Sequence, residues 1–390
     1  MIRKIYLIAG EPSGDLHGAH LVQALKKENP EILFRGFGGM KMERAGVELD
    51  QTIDRLSFMG FSEVVKHLPQ IFANLRLAKA AIRTWQPDAI IYIDFPGFNM
   101  RVARWAKKQG LRNFYYIAPQ AWAWKEKRAL QLKRDIDELF CILPFEKSFF
   151  ARFDYDVHYV GHPLVDIIHE FKVSHYVERE PQIQVRNLTK SNEKESTETQ
   201  YGYRKIIALL PGSRQQEVRK ILPVQLAAVR DMEDFHIVIG KSPNIPQTVY
   251  DEILNEAGVS TVFFEENTYH LLSKAYVACV ASGTATLETA LFKVPEVVCF
   301  KGSPISYSIA KRLIKVPYIS LVNLVMNKEV VKELIQQELT PYRLQDEVRR
   351  LIEPLKRNHI LQDFSELENR LGLGGAAEKT AKIIISKIGI

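Results

Sequence analysis

Four short segments concentrate the residue types that hold anions and move protons. The first, residues 10–18, sets Glu11, Ser13, Asp15 and His17 among three glycines. Glycine admits tight turns and close approach of a ligand to the backbone. The spacing is not GxGxxG, so it supports no nicotinamide cofactor. It is not GxxxxGK[ST] either, which excludes an ATPase P-loop. A structural turn explains the glycines but not the polar side chains crowded between them. The second segment, Asp94-Phe95-Pro96-Gly97-Phe98-Asn99, begins where an apolar run ends. A carboxylate partly withdrawn from water gains proton affinity and suits a general base. The same spacing equally suits an Asp that caps the following helix.

The third segment is Leu210-Pro211-Gly212-Ser213-Arg214. Backbone amides at a helix start form an anion site, and an arginine grips phosphate bidentately. The composition favours a diphosphate ligand over a surface turn with a solvated arginine. The fourth, Ala281-Ser282-Gly283-Thr284-Ala285-Thr286-Leu287-Glu288, combines small residues with hydroxyl and amide donors. Glu288 lies one helical turn after Thr284 on the same face. There it would accept hydrogen bonds from sugar hydroxyls, or cap the helix.

Each segment follows a predicted strand. Strands are expected at 4–9, 32–36, 89–93, 113–117 and 139–143, then at 206–210, 236–239, 262–264, 276–280 and 296–300. Helical spacing fills 16–28, 61–84 (restarting at Pro69), 99–109, 124–134, 215–230, 248–257, 268–274 and 285–291. Short, almost wholly apolar strands between helices predict an α/β fold with parallel sheets covered on both faces. Ligands in such sheets bind beyond the strand C-termini. The polar stretch 174–204 separates two similar α/β units. The predicted division is therefore 1–170, a linker or insertion at 171–204, 205–340, and charged helices over 341–390.

Composition narrows the function classes. The chain has 390 residues, 46% hydrophobic and 25% charged, with a net charge of +7. Cys141, Cys279 and Cys299 are far apart and lie in apolar stretches, so they predict buried thiols and no disulfide framework. No HExxH or similar metal-ligand cluster occurs, and no metal or cofactor is expected. No uncharged apolar run is long enough to span a bilayer, and the first apolar run reads as a strand. Between Arg101 and Arg134 ten Lys/Arg face one acidic residue. That surplus suits a solvated helix face, an anionic substrate or acidic lipid head groups. Nucleic acid is a rival partner for this charge, but no RNP, KH or zinc-finger pattern accompanies it. Phe58, Met59, Phe61, Val64, Val65, Leu68, Ile71, Phe72 and Leu75 lie among basic residues and suit either a core or a membrane interface. Trp122 and Trp124, after Pro119 and Gln120, suit a core or a cleft wall. His162 suits a hinge or a core position.

Taken in order, these motifs resemble the bacterial lipid-A-disaccharide synthases, glycosyltransferases of family 19. The resemblance covers nearly the whole chain. It includes residues 10–18 and 36–46, Met59-Gly60-Phe61-Ser62-Glu63-Val64, residues 94–99 and 119–124, Leu143-Pro144-Phe145-Glu146, Gly161-His162-Pro163-Leu164, residues 210–214 and 282–288, and Leu373-Gly374-Gly375-Ala376-Ala377. It implies a GT-B fold: two Rossmann-like domains facing across a cleft, with C-terminal helices crossing back to the first. It implies inverting, metal-free transfer of 2,3-diacylglucosamine from its UDP conjugate to 2,3-diacylglucosamine-1-phosphate, peripherally at the cytoplasmic face of the inner membrane. Monomer and homodimer both remain open. Asp94 falls on the family's general base. Gly212, Ser213, Arg214, Ser282, Gly283, Thr284 and Glu288 fall on its nucleotide loops. Glu11, Ser13, Asp15, Asn99, Gln120 and Asn323 fall on acceptor or cleft positions, and Val322 stands where the family commonly has proline. A UDP-N-acetylglucosamine 2-epimerase shares the second-unit loops, but not the 10–18, Asp94 and Pro119 segments.

Overall fold

The computed structural model describes residues 3–56, 68–175, 204–258, 262–303, 307 and 316–389. The Met59–Val64 motif lies outside them, as does the polar stretch apart from residues 174, 175 and 204. The chain forms two compact units, residues 1–166 with 371–390, and residues 167–370.

The first unit holds strands β1 (Lys4–Ala9), β2 (Leu33–Gly38), β3 (Val47–Thr52), β4 (Ala89–Ile93), β5 (Arg112–Tyr116), β6 (Glu138–Cys141) and β7 (His158–Tyr159). They pair in the order β3-β2-β1-β4-β5-β6-β7, all parallel. The second unit holds β8 (Lys205–Leu210), β9 (Phe235–Gly240), β10 (Phe263–Glu265), β11 (Ala275–Ala281), β12 (Glu296–Phe300) and β13 (Lys332–Ile335). Its order is β10-β9-β8-β11-β12-β13, again parallel. Both sheets are doubly wound, with strand order reversing beside β1 and beside β8.

The central strands are apolar because both their faces are covered. Ile5 to Ala9 of β1 and all of β4 have no exposed surface. The apolar pattern misses β3, β7 and β13. All three are edge strands with part of their surface uncovered, as in Val-Glu-Leu-Asp-Gln-Thr of β3 and Lys-Glu-Leu-Ile of β13. An edge strand has a neighbour on one side only, so it needs no continuous apolar run.

The helix Pro12–Glu28 starts at Pro12 rather than at residue 16. Proline fits a first helical turn, where its missing N–H has no partner to lose. Ser13, Asp15 and His17 are therefore helical and not loop residues. Gly18 faces the sheet: a Cβ there would come within 2.7 Å of Met42 Sδ and 2.9 Å of Ile93 Cδ1. Asp15 is buried and holds the start of the helix Met40–Arg44. Its carboxylate accepts from the amides of Gly39 (2.8 Å), Met42 (2.9 Å) and Lys41 (3.1 Å).

The C-terminal segment divides at Leu371. The helix Pro341–Ile352 buries Leu344, Val348 and Leu351, a stripe at i, i+4 and i+7, and it packs on β11, β12 and the helix Gln215–Val229. It and most of the helix Pro354–Leu371 thus belong to the second unit. Only the helix Ala376–Ile388 joins the first, where Ala377, Ala381, Ile384 and Ile388 share a core with Ala19, Val22 and Leu25. Asp166 accepts from the amides of Gly375 (2.6 Å) and Ala376 (3.1 Å) and so caps that helix. Among the described residues no helix is long and apolar enough to cross a membrane.

Two predictions follow from this packing. Asp15→Ala leaves three amides without their acceptor and should destabilise the chain by about 2–3 kcal/mol, read by urea unfolding. Glu296 is fully buried, and neither carboxylate oxygen has a hydrogen-bond partner among the described residues. Burial raises its pKa well above 4.5, so the folded state holds a proton that the unfolded state releases. Stability is then lost as pH rises above the unfolded value. Glu296→Gln should gain on the wild type by up to about 1.4 kcal/mol per pH unit as pH climbs above that value. Parallel unfolding midpoints of the two proteins at pH 5 and pH 8 would contradict this.

Candidate active site

Two sites lie at strand C-termini, one in each unit. In the first, β1 and β4 are neighbours whose chains leave the sheet in different directions, which opens a crevice at their ends. Asp94 follows β4 directly. Its φ is 45° and that of Phe95 is 50°, two consecutive non-glycine residues in the left-handed region. Such strain persists only where surrounding contacts fix it. Here Asn99 Nδ2 lies 2.7 Å from the Asp94 carbonyl oxygen and 3.3 Å from those of Ile8 and Ile93. The Tyr115 hydroxyl donates to the same Asp94 carbonyl at 2.6 Å, and the Asp94 amide donates to Tyr116 at 3.2 Å. Phe95 turns its ring over Gly10, where any Cβ would strike it, and stacks on Phe98 at 5.6 Å. The turn thus aims the Asp94 carboxyl while its backbone is held from three sides. Burial, with Glu11 nearby, pushes the Asp94 pKa up to about 6, against the Phe95 amide, which lowers it. The group can therefore take a proton near neutral pH.

The structure sorts the other sequence-predicted positions in this unit. Glu11 and Asn99 gather at Asp94, Glu11 through its charge and Asn99 by holding the turn. Ser13 is exposed in the first turn of its helix, and Gln120 is exposed after Pro119. Asp15 is a correction: it is buried, and its carboxylate accepts from the amides of Gly39, Lys41 and Met42, so it holds the start of the helix Met40–Arg44 and does not face a cleft as a loop residue would. Trp122 is buried, and its Nε1 donates to Glu146 at 3.0 Å. Glu146 also accepts from the amides of Leu143 and Ile142, and burial lifts its pKa to about 7. The Leu143-Pro144-Phe145-Glu146 motif therefore anchors the segment carrying Trp124, which is 46% exposed. His162 is a core residue: it is buried, its Nδ1 accepts from the Leu164 amide, and burial lowers its pKa to about 3. All three cysteines are buried thiols.

In the second unit a pocket of about 360 Å³ opens at the ends of β8, β9 and β11. Gly212, Ser213, Ser282, Gly283, Thr284 and Glu288 line it together with Glu217, Lys241, Ser242, Asn244 and Thr268. Gly212 turns the chain with φ 114°, and a Cβ there would come within 2.6 Å of Glu217 Oε2. Gly283 leaves open space where a side chain would stand. Glu288 accepts from the Tyr269 hydroxyl at 3.2 Å, and burial raises its pKa. Arg214 is exposed, with Nη1 3.2 Å from Glu217 Oε1, and does not line the pocket. Lys241, Ser242 and Asn244 escaped the sequence reading, although Gly240 ending an apolar run was a usable signal. Tyr269 carried none, because its role depends on contact with Glu288.

Asn323 is the second correction. It is fully buried, and both ends of its carboxamide are occupied. Oδ1 accepts from the amides of Val330 (2.8 Å) and Val331 (3.0 Å), while Nδ2 donates to the Val331 carbonyl and Glu333 Oε1, both at 2.9 Å. It ties the helix Leu321–Met326 to β13. Val322 is buried at the second position of that helix, a place where proline is also tolerated. Among the described residues no group of three or more His, Cys, Asp or Glu side chains converges as a metal site requires.

Comparison with known proteins separates fold from family. A UDP-GlcNAc 2-epimerase from Neisseria meningitidis, solved with UDP-GlcNAc, superposes with a TM-score of 0.66 over 98% of this chain and 100% of its own, at 14% identity. The glycotransferase of kitacinnamycin gives 0.63 over 98% of both chains, at 15% identity. The fold is thus the GT-B fold, which epimerases and glycosyltransferases share. Sequence is more selective. The profile described as Lipid-A-disaccharide synthetase matches residues 5–385. A lipid-A-disaccharide synthase of Syntrophus aciditrophicus is 36% identical over 98% of this chain and 97% of its own length. That of Myxococcus xanthus is 35% identical over the same shares. With its motifs spread over both units and matched from end to end, the chain belongs to the lipid-A-disaccharide synthase family of glycosyltransferases.

Proposed function

We propose that this chain transfers 2,3-diacylglucosamine from UDP-2,3-diacylglucosamine to the 6-hydroxyl of 2,3-diacylglucosamine-1-phosphate, with inversion. The products are the β-1,6-linked disaccharide-1-phosphate and UDP. The observation that carries this reading is Asp94, a half-buried carboxyl held in a strained turn with its pKa raised to about 6. The acceptor hydroxyl gives its proton to Asp94 as its oxygen attacks the donor's anomeric carbon. The bond from that carbon to the diphosphate breaks on the opposite face, and UDP leaves with the electron pair. Negative charge then grows on the β-phosphate oxygen.

The second-unit pocket suits that leaving group. Its lining offers the hydroxyls of Ser213, Ser282 and Thr284, the ammonium of Lys241 and the start of the helix Thr284–Leu291. Donors already placed where charge develops stabilise the transition state. Glu288, held by Tyr269, is available to sugar hydroxyls. Arg214 would reach the phosphates by exchanging Glu217 for them. Both substrates are acylated, so the reading places the protein peripherally at the cytoplasmic face of the inner membrane.

Asp94→Asn should lower kcat by about 10²- to 10⁴-fold while leaving UDP affinity near the wild-type value. Disaccharide formation and calorimetric UDP titration read the two effects; near-normal turnover would remove Asp94 as the base. Because the base works ionised, kcat/KM should fall tenfold per pH unit below about 6. Glu11→Gln removes a neighbouring negative charge and should move that limb to lower pH. Arg214→Ala should weaken UDP binding about tenfold; an unchanged affinity would separate Arg214 from the phosphates.

A further inference from the structure

Arg128 is a cation in an unfavourable place. It is half-buried at the first position of the helix Arg128–Asp135, where the helix dipole disfavours positive charge. Among the described residues it forms no ion pair, while its basic neighbours Arg134 and Lys107 pair with Asp135 and Asp137. Its guanidinium carbon lies 5.5 Å from the centre of the exposed Trp124 ring, and Lys125 Nζ lies 4.1 Å from the same ring. Burial lowers its pKa, and the charge of Tyr115 opposes that shift only in part. A cation partly withdrawn from water and without a carboxylate gains from an anion that meets it.

Its position relates it to the chemistry. Arg128 is close enough to Tyr115 to favour that side chain's ionised form, and the Tyr115 hydroxyl donates to the Asp94 carbonyl at 2.6 Å. Tyr115 thus feels the charge of the guanidinium and also touches the turn that aims the proton acceptor. The acceptor has the matching shape: a hydroxyl that must meet Asp94 and, across one sugar ring, a phosphate monoester. The diphosphate of the donor is assigned to the other unit. We propose that Arg128, with Lys125 beside it, binds the 1-phosphate of the acceptor and so sets which sugar hydroxyl reaches Asp94. The proposal rests on the reaction assigned above.

The test compares two acceptors, 2,3-diacylglucosamine-1-phosphate and 2,3-diacylglucosamine without the phosphate. The wild type should prefer the phosphorylated acceptor in kcat/KM, and Arg128→Gln should shrink that preference about 10- to 100-fold, chiefly through acceptor KM. Arg128→Lys keeps the charge but loses the planar fork, so its preference should fall between the two. It also decides the matter if the glutamine variant fails to fold. A preference unchanged in either folded variant, or an equal loss on both acceptors, would overturn the assignment. Wild-type protein that makes disaccharide equally well from both acceptors would refute the phosphate site but leave the reaction standing. Wild-type protein that makes none would refute the reaction itself. Sedimentation with phosphatidylglycerol vesicles separates the remaining source of phosphate. If Arg128→Gln loses vesicle binding yet keeps the acceptor preference, the arginine serves a lipid head group and the proposal falls.

Discussion

The arrangement depends on one constraint, the parallel pairing of β1 with β4 and of β8 with β11. Each pair joins strands that are not consecutive in the chain, and their connections depart to different sides of the sheet. Polar backbone ends and short loops are left facing the crevice that this reversal opens. All the chemistry assigned to this chain is placed there. In the first unit the crevice is stabilised by a single carboxamide. Asn99 reaches carbonyls at the ends of both β1 and β4, and with Tyr115 it keeps Asp94 and Phe95 left-handed. In the second unit the same topology leaves a pocket walled by small residues, because Gly212, Ser282 and Gly283 remove the side chains that would fill it.

The two units divide the electrostatics. Around Asp94, burial and the charge of Glu11 make a carboxylate hold its proton more tightly, as the proposed role of base requires. Around the second-unit pocket, hydroxyls, a lysine and a helix start offer positive potential to an anion. Buried acids elsewhere differ in whether they are satisfied. Glu146 accepts three hydrogen bonds and fixes the Trp122 segment, whereas Glu296 has none among the described residues. Both are raised in pKa by burial, but only Glu146 has donors that oppose the shift. A perturbed carboxyl alone therefore does not mark a reaction centre. Asp94 stands out because its perturbation coincides with backbone strain and a crevice.

Fold similarity and sequence similarity answer different questions here. An epimerase and a glycosyltransferase superpose on this chain at about the same TM-score, since one fold can host different activities. The family assignment rests on the match over residues 5–385 and on relatives 35–36% identical along 98% of the chain. Within the stretch that resembles the family, Leu143-Pro144-Phe145-Glu146 holds the segment that presents Trp124, Lys125 and Arg128. It is thus a support for a site rather than a site itself.

The sequence by itself determined the α/β class, the central strands and the loops at which the candidate sites lie. Apolar runs buried on both faces, and glycines at their ends, are local signals that survive without knowledge of contacts. It also pointed to Asp94, Gly212, Ser282 and Glu288 by their places after strands. It could not separate Asp15 and Asn323 from ligand-binding residues, because a polar side chain with all its bonds satisfied internally looks the same in sequence as one awaiting a substrate. Only the tertiary structure decided that Asp15 holds the helix Met40–Arg44, that Asn323 ties a helix to β13, and that residues 341–370 stay with the second unit. The edge strands β3 and β13, and the absence of an ion pair for Arg128 among the described residues, were hidden for the same reason. Each is defined by partners distant in the chain, and pairing at a distance leaves no periodicity to read.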